Sequence, residues 1–402
     1  MSFSGGHNKK ALVVVLADVE NDPRVRRQIE WLTSEGWVVD SLGRGQHPTP
    51  KVRDHFAMAA PPRWTKTFIG LALIHTLLTY RARFRVQAES LFPPEVNARV
   101  KAGEYDVVIL NDTHLLPWLS NRSTFRPGPP VTHVHIDLHE WFSADLPAGT
   151  RGAFLLQGYH RWTRNHIVHS VVNTRSVAGG TAELYVAEFG VEHPILVRNA
   201  PPFEDLHPTD VVPERIELIH HGLAAWPRGF RQMVDAMRLV EDRFRLTFML
   251  AGSQKVIAEL GEYIADQSDR ITIVPPAAMV DLARTINPYD VEVMFFPPVT
   301  RNLETTLPNK LFEAVQGRLA VVIGPTKMMV DVVNEYGNGC VTDGWSPEEL
   351  AATINTLTAD DVVRMKAISH TMAPLLSAEN EKKAFFRSFG ERASEDLADV
   401  TS

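Results

Sequence analysis

The segment from Asn302 to Glu313 has the residue types of an anion-binding helix start. It reads NLETTLPNKLFE and follows an apolar run that ends in Pro297 and Pro298. The free backbone N–H groups and positive dipole at the beginning of a helix suit a diphosphate. Lys310, on the first turn, could add a positive charge, and Glu313, one turn later, could bind both hydroxyls of a ribose. A capped helix with a solvated lysine and glutamate remains the alternative.

A second polar cluster, HVHIDLHE, spans residues 133–140. Side chains alternate along a strand, so His133, His135, Asp137 and His139 would share one face. Four such groups could bind a metal ion, as in metal-dependent hydrolases. Alternatively the strand ends near residue 136, which would leave His133 in the core or at an edge.

The overall composition excludes several classes of protein. The chain has 402 residues, with 41 Lys and Arg against 48 Asp and Glu, and a net charge of -7. This charge argues against a general nucleic-acid-binding protein. The single cysteine, Cys340, excludes an intramolecular disulfide and a cysteine-based zinc site. The polar N-terminus lacks the apolar core of a signal peptide, so we expect a cytoplasmic protein.

The region 63–85 is the strongest candidate for contact with a membrane. Its apolar part, Phe68 to Leu78, has eleven residues, and about 20 are needed to cross a bilayer. The basic and aromatic flanks could nevertheless rest on an anionic surface, which would place the protein peripherally on the inner face of the cell membrane. The alternative is a helix packed on its own domain, with its arginines reaching water.

The remaining pattern alternates short apolar strands with helices. Strands are predicted at 11–17, 38–42, 106–110, 131–136, 170–173, 195–197, 216–220, 245–250, 271–274, 291–296, 319–323 and 339–341. Helices are predicted at 23–35, around 64–90, and at 175–189, 229–241, 254–266, 277–287, 307–316, 326–336 and 378–396. This alternation predicts parallel strands that are joined by right-handed crossovers and covered on both faces.

A Pro-rich stretch at 199–213 divides the pattern and is the predicted linker. We therefore predict an N-terminal domain at 1–200, a C-terminal domain at 201–375 and a terminal helical segment at 376–402. Ligands of such domains bind beyond the carboxyl ends of the strands. No G-x-G-x-x-G fingerprint follows the first strand, but Asp18 and Asn21 are available there to a ligand.

Several motifs, which occur along the chain in the expected order, resemble those of GT-B glycosyltransferases, and in particular the large retaining family 4 (glycosyl transferases group 1). They are Leu307–Glu313 followed by Gly317 and 319–323, Asp22–Val25, Asp137–Glu140, Val197–Pro201, and His221–Gly222 with Arg228–Gly229. The resemblance implies an α/β protein of the GT-B fold, in which two Rossmann-like doubly wound domains face a central cleft. It also implies that the N-terminal domain is the acceptor-side domain, that the C-terminal domain binds the nucleotide-sugar donor, and that the C-terminal helix crosses back onto the first domain.

The resemblance implies roles for individual residues. The catalytic set would be His139, Arg228 and Lys310. The donor-binding set would be Glu313, Asn309, Leu307, Thr305, Glu304, Asn302, His221 and Gly222, and the acceptor-side set Asp18, Asn21, Asp112 and Glu140. Thr305 stands where the family often has a glutamate, so Asn302 or Glu304 could replace that contact, or the donor sugar could differ.

The predicted reaction moves a sugar from a nucleoside diphosphate sugar to a hydroxyl of a glycan, lipid-linked or small-molecule acceptor. The resemblance implies retention at the anomeric carbon, and no metal or other cofactor is required. Two alternatives stay open. One is a metal-dependent hydrolase that uses His133, His135, Asp137 and His139, and the other is a non-catalytic nucleotide-sugar-binding protein. No nucleic-acid partner is expected. The donor base, the donor sugar, the acceptor and the oligomeric state are not specified by the sequence.

Overall fold

The chain divides into two compact units in a computed structural model. The first comprises Met1–Val197 with Lys382–Ser402, and the second comprises Arg198–Glu381. The structure describes residues 9–67, 70, 73–74, 77–111, 113–119, 133–138, 172–176, 179–265, 269–298, 301–305 and 307–389.

The first unit contains a seven-stranded parallel sheet in the order β3-β2-β1-β4-β5-β6-β7. Its strands are β1 (Lys10–Asp18), β2 (Val38–Arg44), β3 (Val52–Ala57), β4 (Val107–Asn111), β5 (His133–Leu138), β6 (Val172–Ser176) and β7 (Ile195–Leu196). Its helices are α1 (Pro23–Ser34), α2 (Tyr80–Gln87), α3 (Pro94–Lys101), α4 (Leu116–Leu119) and α5 (Gly179–Phe189).

The local sequence explains the beginning of this unit. Ala11–Val15 are buried, as expected of a central parallel strand that is covered on both faces. Asp22 caps α1, because its carboxylate accepts hydrogen bonds from the backbone N–H groups of Arg24 and Val25. Pro23 occupies the first helical position, where its missing N–H costs nothing.

Strand β3 was not predicted from the sequence. Only Val52 and Phe56 of its side chains are buried, so its apolar pattern is weak. Instead, charge fixes this edge strand, since Arg53 donates to the buried carboxylate of Asp40 on β2. Polar, charged edge strands are common because they discourage pairing with other chains.

The second unit contains a six-stranded parallel sheet in the order β10-β9-β8-β11-β12-β13. Its strands are β8 (Ile216–Ala224), β9 (Phe244–Gly252), β10 (Ile271–Val274), β11 (Val291–Met294), β12 (Ala320–Ile323) and β13 (Gly339–Val341). Its helices are α6 (Phe230–Met237), α7 (Gln254–Tyr263), α8 (Leu282–Ile286), α9 (Arg301–Glu304), α10 (Asn309–Gln316), α11 (Lys327–Tyr336), α12 (Pro347–Thr356) and α13 (Ala359–Met372). The first strand of this unit is longer than predicted: β8 continues past His221 to Ala224, because its ladder with β9 extends that far.

The Pro-rich stretch at 199–213 is part of the second unit and is not a free linker. The buried guanidinium of Arg318 donates to the carbonyl oxygens of Glu204 and Leu206. Gln316 Oε1 accepts from the backbone N–H of Glu204 at 3.1 Å. Side chains from the sheet-covering layer therefore fix this proline-interrupted segment, whose backbone has few partners of its own.

The last described helix, α14 (Ala378–Arg387), runs from the second unit into the first. Its first residue donates a backbone hydrogen bond to Pro201 within the second unit. Beyond residue 381 the chain packs in the first unit, where the rings of Phe385 and Trp31 lie 5.1 Å apart and Lys382 pairs with Glu35 at 2.7 Å. The predicted crossing of the C-terminal helix is confirmed.

The region 63–85 exposes apolar surface at several described positions. Trp64 is 51% exposed, Leu73 48% and Leu77 73%, whereas Ile74 is buried. Within the part of the chain that the structure describes, no helix is long and apolar enough to cross a bilayer. Contact of this region with a membrane surface stays a prediction.

A buried ion pair in the second unit gives the first test of this fold. Lys366 is fully buried, and its ammonium donates to Asp290 at 2.9 Å and to Thr209 at 2.8 Å. We expect Lys366→Ala to lower the free energy of unfolding by about 3–5 kcal/mol, because it leaves the Asp290 carboxylate buried without its counterion. Denaturant unfolding measures this change. Lys255→Ala, which removes an exposed pair with Glu259, should cost less than about 1 kcal/mol, and equal losses would contradict the prediction.

Candidate functional site

Three elements of the second unit, two central strands and one helix, bring polar side chains together. His221 and Gly222 lie in the last half of β8, and Glu292 lies in the neighbouring β11. Lys310 and Glu313 lie on the first turns of α10, which begins after Pro308. The parallel ladder and the helix start therefore position this cluster.

His221 connects two carboxylates from different elements. Its Nδ1 lies 2.8 Å from Glu292 Oε2, and its Nε2 lies 2.8 Å from Glu313 Oε2. The backbone N–H of His221 also donates to Glu292 Oε1 at 3.2 Å. Burial by itself would lower the pKa of His221, but the charge of Glu292 and the hydrogen bonds of both carboxylates outweigh it and raise the pKa to about 9.

Lys310 is a buried cation on the first turn of α10, with only 7% of its surface exposed. Its ammonium lies against Gly222, where a Cβ atom would stand 1.7 Å from Nζ. Burial lowers the pKa of Lys310 to about 8, and the charge of Arg228 acts in the same direction. Glu313 and Glu292 oppose this shift only in part.

Arg228 ends a single 3-10 turn that follows β8. Its guanidinium lies over the ring of Phe296, 5.6 Å from the centroid, and burial lowers its pKa. Within the described chain, neither the Arg228 guanidinium nor the Lys310 ammonium donates a hydrogen bond or joins an ion pair. Two such cations beside a helix start have the charge and the donors to attract an anion.

His220 points to the opposite face of β8 and has a structural role. Its ring is fully buried against Phe230, Phe248 and Phe296, and Nδ1 donates to the carbonyl of Val293 at 2.7 Å. Burial lowers its pKa well below the ordinary value. The ring is neutral as a result, and Nε2 has no hydrogen-bond partner.

The other predicted donor residues surround the start of α10. Asn309, the first residue of the helix, is exposed, and its side-chain oxygen accepts from Asn199 Nδ2 at 2.7 Å. Leu307 and Thr305 are partly buried, whereas Glu304 is exposed at the end of α9. Asn302 lies in α9, and its side chain is outside the described part of the chain.

In the first unit, the structure describes only part of the predicted set. Asp18 Oδ1 accepts from the backbone N–H of Glu20 at 3.0 Å and so closes the turn that follows β1. Asn21 is exposed in the same turn. The predicted residues Asp112, His139 and Glu140 lie outside the described residues.

The predicted metal cluster on β5 does not assemble from the side chains that are described. The ring of His135 lies 4.3 Å from the ring of Phe389, and Asp137 Oδ2 accepts from Gln28 Nε2 at 2.8 Å. No group of three metal-ligating side chains is found in the described ranges, which exclude His139.

Gln28, which sequence reasoning did not identify, also exchanges hydrogen bonds with Asn111 and joins α1 to β4 and β5.

Sequence reasoning also missed Glu292. It lies inside the apolar run that was predicted as a strand, and its side chain is fully buried. A carboxylate in a strand covered on both faces needs a partner, because a buried charge without one is costly. An acidic residue inside a predicted buried strand was the signal that sequence reasoning could have used, but it did not specify His221 as the partner.

Comparison with known proteins identifies the type of domain. Residues 215–360 match the family model described as Glycosyl transferases group 1. None of the curated proteins matches the sequence. The second unit thus carries a glycosyltransferase group 1 domain, which confirms the predicted class of enzyme.

Solved structures support the fold over nearly the whole chain. A glycosyltransferase from Rickettsia africae ESF-5 has 13% identity and a TM-score of 0.67, over 93% of this chain and 96% of its own. A sucrose-phosphate synthase from Thermosynechococcus elongatus has 14% identity and a TM-score of 0.69, over 95% and 100%. Anabaena HepE in complex with UDP and glucose has 13% identity and a TM-score of 0.67, over 95% and 100%. The predicted GT-B fold is confirmed.

The contact between Gly222 and Lys310 gives a test of the site's backbone. Gly222 has a φ of +126°, and an added methyl group would meet the Lys310 ammonium. We expect Gly222→Ala to lower the free energy of unfolding by about 1–3 kcal/mol, since the backbone is strained and the lysine must move. Gly261→Ala, in α7 with open space around it, should instead stabilise by about 0.5–1 kcal/mol. The same sign for both variants would contradict this account.

Proposed function

We propose that this protein transfers a sugar from a nucleoside diphosphate sugar to an acceptor hydroxyl, with retention at the anomeric carbon, as in the retaining family 4 that its motifs resemble. The observation that carries the proposal is a pair of cations, Lys310 on the first turn of α10 and Arg228 in the turn after β8, which make no hydrogen bond or ion pair within the described chain. They lie beside Glu313 within the glycosyltransferase group 1 match.

The diphosphate of the donor would bind Lys310, Arg228 and the backbone N–H groups at the start of α10. During transfer the bond between the anomeric carbon and the diphosphate oxygen breaks, and its electron pair stays on that oxygen. The acceptor oxygen bonds to the same carbon, and its proton passes to the departing diphosphate oxygen. Cations fixed at the leaving oxygen stabilise the charge that develops there. These residues therefore supply leaving-group stabilisation from the protein itself.

Glu313 is the proposed contact to the donor ribose. A carboxylate one turn into the helix can accept from two neighbouring hydroxyls, while the first turn holds the diphosphate. HepE is similar in fold and is complexed with UDP and with UDP-glucose, so UDP is the first nucleotide to test. The donor sugar would contact α9 and the residue after it, which together carry Asn302, Glu304 and Thr305.

The acceptor is assigned to the carboxyl ends of the strands of the first unit. Asp18 and Asn21 lie in the turn after β1, and the proposal retains Asp112, His139 and Glu140 for the same function. His139 is the proposed contact to a hydroxyl near the reacting carbon. The exposed apolar side chains of Trp64, Leu73 and Leu77 favour a lipid-linked acceptor over a small soluble one.

Titration calorimetry with UDP tests the donor site. We expect Lys310→Met and Arg228→Met each to weaken UDP binding by about 10- to 100-fold, which corresponds to the roughly 1.5–3 kcal/mol of a charge-assisted hydrogen bond. Lys255→Met removes an exposed lysine from α7 and should leave the affinity unchanged. Donor hydrolysis and sugar transfer should fall in the same two variants. If no nucleoside diphosphate binds the wild-type protein, or if Glu313→Ala changes neither binding nor turnover, the proposal is wrong.

The pH dependence of UDP binding reports on Lys310. Its pKa of about 8 in the free protein must rise when a diphosphate binds, so binding takes up a proton above that pH. Affinity should therefore fall by about fourfold between pH 7 and pH 8.5. Lys310→Arg keeps its charge over this range and should show a flat profile, as measured by calorimetry in buffers of equal ionic strength. An equal fall in both proteins would remove Lys310 as the cause.

A further inference from the structure

The hydrogen bonds of His221 determine its protonation state. Each ring nitrogen lies 2.8 Å from a carboxylate oxygen, Nδ1 from Glu292 and Nε2 from Glu313. An ionised carboxylate only accepts hydrogen bonds, so both ring nitrogens must donate. A ring that donates from both nitrogens is an imidazolium, which carries one positive charge.

Glu292 is bound to His221 by both of its oxygens. Oε2 accepts from the ring, and Oε1 accepts from the backbone N–H of the same residue. The carboxylate is fully buried, and His221 is 3% exposed, so water does not compete with either bond. This arrangement fixes the rotation of the imidazole ring as well as its charge.

The charges around His221 come from three directions. Glu292 contacts it from β11 and Glu313 from α10, while Lys310 on α10 and Arg228 in the turn after β8 carry the nearby positive charges. The adjacent His220 has its ring on the opposite side, and its pKa is lowered by burial and by the charges of Lys310 and Arg228. The charge on His221 is stabilised by the two carboxylates.

We infer that Glu292 is a positioning residue for nucleotide binding: it keeps His221 charged, and the charged ring holds the Glu313 carboxylate in place for the donor ribose. The inference rests on the proposed function. Without Glu292 the ring would lose the proton on Nδ1 and keep the one on Nε2, so its hydrogen bond to Glu313 would lose the assistance of the positive charge. The Glu313 carboxylate would then be held less firmly, and the ribose contact would weaken while the diphosphate contacts remain.

Glu292→Gln removes the charge with little change of shape: the amide oxygen can still accept from Nδ1, while the backbone N–H of His221 loses its acceptor. Nitrogen NMR of histidine-labelled protein shows the protonation of each ring, and the His221 signals are assigned by their absence in His221→Gln. In the wild type we expect both nitrogens of His221 to remain protonated at pH 8. In Glu292→Gln we expect the ring to lose a proton at least about one pH unit lower than in the wild type.

Binding of UDP and of inorganic pyrophosphate separates the ribose contact from the diphosphate contact. At pH 8 we expect Glu292→Gln to weaken UDP binding by about tenfold, as for one lost hydrogen-bond network. Pyrophosphate affinity should stay within about threefold of the wild type, because one negative and one positive charge are lost together. The ratio of the two affinities also cancels the titration of Lys310, which both ligands share.

Glu217→Gln is the matched control. Glu217 lies four residues before His221 on β8, and its carboxylate pairs with Arg215 near the surface. It should change neither the His221 signals nor the affinity ratio. If Glu292→Gln does not fold, Glu292→Leu replaces the carboxylate by an apolar side chain in an apolar strand and should give the same two changes.

The outcomes for the inference and for the proposed function are distinct. If the wild type binds UDP but Glu292→Gln behaves like Glu217→Gln in both measurements, the inference is overturned and the function stands. If Glu292→Gln weakens UDP and pyrophosphate equally, Glu292 acts on the whole site and the positioning role is wrong. If the wild type binds neither ligand, the proposed function fails, and the NMR comparison still tests the link between Glu292 and His221.

Discussion

Two carboxylates of the second unit are hydrogen-bonded to one imidazole ring, and the properties of the candidate site depend on those two hydrogen bonds. Glu292 and Glu313 require a charged ring between them, so His221 adds a third cation to Lys310 and Arg228. Three positive and two negative charges leave an excess of one positive charge. Such a balance would attract an anion, because within the described residues the two outer cations make no hydrogen bond or ion pair.

The backbone conformation determines where the cations Lys310 and Arg228 lie. Lys310 can be buried beside β8 because Gly222 has no side chain, and its φ of +126° suits glycine alone. Gly229, with a φ of +73°, similarly allows the turn that carries Arg228 to pass close to the carbonyl of Phe295. Two glycines therefore allow Lys310 on α10 and Arg228 in the turn after β8 to lie close to β8, and the charge cluster follows from backbone geometry as much as from side-chain type.

Much of this arrangement could be predicted from the sequence, because parallel strands and helix starts leave strong local patterns. The apolar runs gave most strands, and the spacing of Lys310 and Glu313 indicated a helix that presents both to one ligand. Glu292 could not be assigned in this way, since its partner lies 71 residues away and depends on the pairing of β11 with β8. Strand β3 was missed for a related reason: the charges of Asp40 and Arg53, rather than apolar alternation, hold it in the sheet.

The departure at Thr305 acquires a physical meaning in this context. The family that the motif resembles often has a carboxylate there, and a further negative charge would cancel the single positive excess of the cluster. In this chain the second carboxylate is that of Glu292, which is buried and is hydrogen-bonded to His221 through both of its oxygens. Its charge then orders the ring and Glu313 without opposing the diphosphate directly. A neutral residue at 305 and a buried acid at 292 are thus compatible with one requirement, a site that stays weakly positive until an anion binds.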